Sequence, residues 1–170
     1  MKTIGLIAPS DPRYARRRDV ARVLRGFSML LERKAYDVIL SPDRDSTAEA
    51  FAKIHLRNPE NRARLIGIHY PDDRIGGYPG LNRAICGKSV DCATYELQPG
   101  MLVRASDHLV CVGFSAGVFW EMVMAKYVWS RRKKSRVYVL KDLVRKRAPR
   151  EIERIVPIRY VTLTELAKRI

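Results

Sequence analysis

Leu109-Val110-Cys111-Val112-Gly113-Phe114-Ser115-Ala116-Gly117-Val118-Phe119-Trp120-Glu121 reads as an apolar strand, a glycine-bounded turn and the start of an apolar helix that runs to about Trp129. Small residues in such a turn let the backbone come close to a ligand, and the first free N–H groups of the helix point at it. Those donors and the helix dipole together make an anion site, with phosphate as the usual occupant. The contacts expected there are Gly113, Phe114, Ser115, Ala116, Gly117 and Val118, joined by Ser10 from the loop after the first strand. The plain alternative is a tight turn that needs glycine for its dihedrals. Glu121 falls one helical turn beyond Gly117, so its carboxylate should face the same pocket mouth. There it would bind a ribose hydroxyl or act as an acid or base, unless it is an ordinary early-helix glutamate favoured by the dipole. Arg104, just upstream, either reaches a phosphate as a substrate contact or pairs with Asp107.

Working outward, strands and helices alternate. Thr3–Ala8 is a buried strand that leaves through Pro9-Ser10-Asp11-Pro12. From Arg16 to Leu31 the residues Val20, Val23, Leu24, Phe27, Leu30 and Leu31 recur at helical spacing, with Arg17, Arg18, Arg22 and Arg25 on the opposite face. Val38–Leu40 is a second strand, and Asp45 or Ser46 caps the helix through Phe51 and Ile54. Arg64–Ile68 is a third strand. Between Tyr70 and Tyr95, glycines and prolines punctuate what reads as a long loop. Arg136–Leu140 and Ile158–Val161 complete the strands, and Thr162 with Glu165 forms a capping-box pair on the last helix. The pattern predicts one α/β domain over residues 1–170, a three-layer Rossmann-like arrangement. Its mostly parallel sheet would have roughly five to six strands, with ligands bound beyond their carboxyl ends.

Composition narrows the classes. The length of 170 residues suits one hydrophobic core, and 46% hydrophobic content argues against disorder. No apolar run approaches the ~20 residues of a membrane span, and the N-terminal apolar stretch is too short for a signal peptide, so a cytoplasmic protein is expected. Cys86, Cys92 and Cys111 with His55, His69 and His108 match no common zinc spacing. Neither a metal nor a resident cofactor is expected, and pairing of Cys86 with Cys92 stays open. Few amides and many arginines resemble hyperthermophile composition.

The net charge of +15 is uneven. Arg13, Arg16, Arg17, Arg18, Arg22 and Arg25 form one basic group. Arg131, Arg132, Lys133, Lys134, Arg136, Lys141, Arg145, Lys146, Arg147 and Arg150 form another, against the single acid Asp142. Such clusters attract polyanions, so nucleic-acid binding through residues 13–25 and 131–150 is one reading, and a solvated thermophile-like surface is the other.

The stretch from Val103 to Glu121, with Ala105-Ser106-Asp107, an apolar strand and then Gly113-Phe114-Ser115-Ala116-Gly117-Val118-Phe119-Trp120-Glu121, resembles the superfamily of LOG-type (lysine decarboxylase-like) phosphoribohydrolases and Smf/DprA proteins. The resemblance implies a Rossmann-like nucleotide-binding fold and a homodimer. Gly117 stands at the last glycine of the family motif and Glu121 at its glutamate. Phe114, Ser115 and Val118 depart from it, Gln98 stands where the enzymes carry an arginine, and the loop from Ser41 to Ser46 replaces a second glycine-rich loop. Three functions follow from these signals. They are binding of a nucleotide or phosphorylated small molecule without turnover, nucleoside-monophosphate hydrolysis with Glu121 as catalytic carboxylate, and nucleic-acid binding through the basic clusters.

Several other patterns carry less. Gly113-x-Ser115-x-Gly117 spells a nucleophile elbow, yet no histidine follows Ser115. Gly87-Lys88-Ser89 lacks the upstream glycine of a phosphate loop. Trp120, Tyr127 and Trp129 are spaced for core or dimer packing.

Overall fold

Apolar runs too short to be helices, each followed by an amphipathic segment, can be buried only as strands covered on both faces. The computed structural model, which describes residues 2–70, 80–130 and 136–170, shows this arrangement. Seven strands form one sheet: β1 (Thr3–Ile7), β2 (Asp37–Leu40), β3 (Leu65–His69), β4 (Lys88–Asp91), β5 (His108–Cys111), β6 (Val137–Leu140) and β7 (Ile158–Val161). Their order is β4-β3-β2-β1-β5-β6-β7, and every pairing is parallel. The three-layer Rossmann-like fold is as read from the sequence, with seven strands in place of five to six. The additional strand, β4, lies in the segment read as a long loop. It is an edge strand with mostly exposed side chains, so it shows no apolar run. Residues 71–79 of that segment lie outside the described residues.

The helices are α1 (Pro12–Ala15), α2 (Arg18–Lys34), α3 (Thr47–His55), α4 (Gln98–Ala105), α5 (Ala116–Val128), α6 (Arg150–Ile155) and α7 (Leu163–Ala167). Helix α2 packs on α3 and α7, and α5 packs on α4 and α6. The helical stripe of α2 is fully inside at Val20, Leu24, Phe27 and Leu31. Phe27 meets Phe51 of α3 with ring centroids 5.5 Å apart. Ser46, rather than Asp45, caps α3 by accepting from Glu49 N–H at 3.1 Å. Thr162 and Glu165 form the reciprocal capping box at α7. No described helix is long and apolar enough to cross a membrane. Cys86 and Cys92 are unpaired thiols.

Chain direction makes the crevice. From β1 the sheet grows one way through β2, β3 and β4, and from β5 it grows the other way through β6 and β7. The connections on the two sides cover opposite faces, so the loops after β1 and β5 part at their carboxyl ends. Truncation of Phe27 to alanine tests the two-layer packing. Loss of a fully buried ring should cost about 3–5 kcal/mol, read as a lower urea midpoint with an unchanged slope.

Candidate functional site

The crevice between the ends of β1, β2 and β5 holds a cleft of about 380 Å³. Three loops and two helix starts build it. Ala8, Ser10 and Asp11 come from the loop after β1, Ser41, Asp43 and Ser46 from the loop after β2, and Ser115 to Val118 from the start of α5. Gln98 and Pro99 at the start of α4 close one side, and Tyr95 and Trp120 form an aromatic wall with centroids 6.1 Å apart. Glu121 completes the lining.

The β5–α5 turn is held by specific contacts. Ser115 has extended backbone and caps α5, accepting from Val118 N–H at 3.3 Å. That bond leaves the amides of Ala116 and Gly117, both exposed to the cleft, with no acceptor among the described residues. Gly113 and Gly117 differ in purpose. A Cβ on Gly113 would stand 2.6 Å from Pro9 Cγ and 2.8 Å from Tyr14 Cζ, so this glycine lets the turn press against the β1–α1 loop. The Tyr14 hydroxyl fastens the same contact by donating to the Val112 carbonyl at 2.6 Å. A Cβ on Gly117 would meet no protein atom within 4 Å, and its backbone is not left-handed. Neither packing nor dihedral preference calls for glycine there. The open space lies on the cleft side.

The electrostatics of the cleft run against the protein as a whole. Despite the net charge of +15, among the described residues no lysine or arginine lines it, whereas Asp11, Asp43 and Glu121 do. Burial pushes the Asp43 carboxyl up to about 6, against the hydrogen bonds from Ser41 and Ser10 that favour its charged form. Ser41 Oγ donates to Asp43 at 3.2 Å and Ser10 Oγ at 3.4 Å. Gln98 in turn donates to Ser41 Oγ. Loss of water around Glu121 in the cleft wall raises its carboxyl well above the ordinary range, and the negative charge of Asp43 adds to the effect. The pair therefore holds protons at pH values where free carboxylates do not.

The expected site residues divide accordingly. Ser10, Ser115, Ala116, Gly117, Val118 and Glu121 all line the cleft. Phe114 turns away, packing at 5.0 Å on Phe119, and with Gly113 it lines a second cleft on the other side of the turn. Arg104 is exposed in the last turn of α4, outside the cleft lining. Asp107 instead accepts from Thr3 N–H at 3.0 Å and from Thr3 Oγ1 at 3.1 Å. Arg131, Arg132, Lys133 and Lys134 lie outside the described residues. Arg136 precedes β6, and Arg150 opens α6. Arg145, Lys146 and Arg147 are exposed on the loop between them, where Arg147 pairs with Glu153 at 3.0 Å. Asp43 and the Tyr95–Trp120 wall escape sequence reasoning, because sheet order and not sequence distance brings them to the turn. Trp120 faces the cleft, while Trp129 is buried and donates to the Val103 carbonyl at 3.0 Å. Among the described residues no group of three His, Cys, Asp or Glu side chains is placed to hold a metal.

No family model matches the chain, and no curated protein matches it either. Solved structures do. The molybdenum cofactor carrier protein of Chlamydomonas reinhardtii is similar over 98% of this chain and 93% of its own, at 13% identity and a TM-score of 0.68. The molybdenum cofactor binding protein of the phototrophic bacterium Rippkaea orientalis gives 12% identity and 0.67, over 98% and 93%. The structural-genomics protein TM1055 gives 20% identity and 0.69, over 99% and 97%. At these identities the likeness establishes the fold: this is a Rossmann-like chain whose structural neighbours include small-molecule carriers.

The carboxylate pair has a measurable consequence. Folding raises the Asp43 pKa above its unfolded value of 3.8, so the folded chain holds a proton that the unfolded chain releases. Stability from this group is full below pH 3.8 and falls as pH rises toward about 6. Asp43→Asn should therefore stabilise the protein at pH 7–8 by on the order of 1–2 kcal/mol, the full shift being discounted for partial exposure. The gain should vanish below pH 4. Urea titrations across pH measure it, and a pH-independent difference would contradict the assignment.

Proposed function

We propose that the chain binds a phosphorylated small molecule with a flat heterocyclic part, a nucleoside monophosphate or a compound of that build, and holds it without turnover. The carrying observation is the pair of open amides at Ala116 and Gly117 beside a glycine whose missing side chain leaves room only for a guest. Unpaired N–H groups at a helix start, aided by the dipole, suit one phosphate. Among the described residues the lining holds no cation, which favours a single phosphate over a charge-dense group. The Tyr95–Trp120 wall supplies a surface for a ring, and Asp43, Glu121 and the serines supply partners for ring N–H or hydroxyl groups. Support for holding over turnover comes from Gln98, which stands where the LOG-type enzymes carry an arginine and is engaged by Ser41. The similar folds named for carrying or binding the molybdenum cofactor support the same reading.

A second reading has one specific support, the coupled carboxylates. A protonated Glu121 next to Asp43 is equipped to give a proton to a leaving group, as hydrolysis of an N-glycosidic bond requires. Release of free base from a nucleoside monophosphate, lost in Glu121→Gln, would establish it.

Gly117→Ala separates ligand space from fold. Alanine suits a helix start with ordinary dihedrals, so the ligand-free protein should gain about 0.4–1 kcal/mol. Its methyl group occupies the approach to the amides, so affinity for a nucleoside monophosphate should fall at least tenfold. In a thermal-shift screen a ligand at 100 times its dissociation constant adds about 2.7 kcal/mol to the wild type. Undiminished binding by the variant would contradict the proposal.

A further inference from the structure

The second cleft, across the same turn, has the opposite character. It is an open concavity of about 430 Å³ between Tyr14, Arg17, Gly113, Phe114, Arg145 and Lys146, and among the described residues no acidic side chain lines it. Its three cations come from both basic groups of the sequence, which the sheet order brings together at the carboxyl edge beside β1, β5 and β6. The segment carrying two of them is anchored. Leu143 and Val144 are buried, and their amides donate to the Leu140 carbonyl at 3.0 Å each, fixing the chain just before Arg145. Arg145 and Lys146 are exposed and form no ion pair among the described residues. Arg17 lies over the Tyr14 ring at 5.0 Å, is held by Asp19, and keeps further N–H donors. Arg145 and Lys146, adjacent and without ion-pair partners among the described residues, repel each other, and an anion between them removes that repulsion while Arg17 adds its remaining donors.

We propose that this cleft is a separate binding site for a pyrophosphate or polyphosphate group of a small molecule. The two clefts divide the work by charge. Backbone amides in the acidic first cleft suit a single phosphate, whereas three side-chain cations suit a charge-dense group. A guanidinium engages adjacent phosphate oxygens with paired N–H donors, and the lysine ammonium adds a movable point charge. The Tyr14 ring gives Arg17 an apolar backing, and Phe114 adds an apolar wall to the concavity. A concavity bounded by a tight turn suits a compact group better than a running strand of nucleic acid. This site does not depend on what the first cleft holds.

Isothermal titration of the full chain with inorganic pyrophosphate at low salt tests the proposal. The exposed pair Arg145→Gln/Lys146→Gln should weaken binding at least tenfold, with an unchanged circular dichroism spectrum. The equally charged change Lys168→Gln/Arg169→Gln just after α7 should leave affinity within twofold. Gly117→Ala, which obstructs the first cleft, should also leave it within twofold, so failure here is distinguishable from failure at the first site. Absence of pyrophosphate binding would overturn the proposal, as would equal losses in the two glutamine pairs. Single-stranded oligonucleotides that bind more tightly with length, and lose that affinity with Arg145 and Lys146, would assign the cleft to nucleic acid and overturn it too.

Discussion

The proposed function of this protein depends on where the backbone of α5 begins. Ser115 satisfies one of the four orphan amides of that helix and leaves the next two before it facing a cleft. The turn cannot drift, because Gly113 is wedged against Pro9 and Tyr14, and Tyr14 is bonded to Val112. Rigid placement matters because amides deliver binding energy to an anion only if no reorganisation is needed when it arrives. The switch in sheet direction between β1 and β5 supplies the crevice, and the turn supplies its polarity.

The charge distribution shapes what can enter. A strongly basic chain concentrates anions near its surface, and the field acts on every phosphate compound alike. Discrimination then falls to local chemistry. The first cleft has no lysine or arginine among its described lining residues and carries protonatable carboxylates, so it favours a guest with one phosphate and several N–H or O–H donors. Beyond Gly113, Arg17, Arg145 and Lys146 reverse that preference. One tight turn thus parts two environments of opposite charge.

Much of this was legible in the chain itself, for identifiable reasons. Strand β5, the turn and α5 follow one another within one short stretch, so an apolar run, small residues and an apolar helix suffice to mark them. Helical spacing directs Glu121 toward the turn, and its side chain lines the cleft there. Strand β4 was not legible, because Lys88, Ser89 and Asp91 are exposed at an edge and lack the pattern of a buried strand. Phe114, one of the turn residues expected at the phosphate, lines the second cleft instead, because in an irregular turn no periodicity dictates side-chain direction and its ring packs on Phe119. Asp43 reaches the site from the loop after β2 and Tyr95 from the turn before α4, and local sequence carries no trace of that meeting. The same holds for Arg17 with Arg145 and Lys146.

The most direct measurement is a titration of the isotope-labelled protein with nucleoside monophosphates, followed through its backbone amide resonances. Hydrogen bonding to a phosphate should move the Ala116 and Gly117 amide protons strongly downfield and in a saturable way, with smaller changes at Trp120 and Ser41. Amide signals of those two residues that stay in place while others saturate would show that the anion is held elsewhere, and would contradict the account.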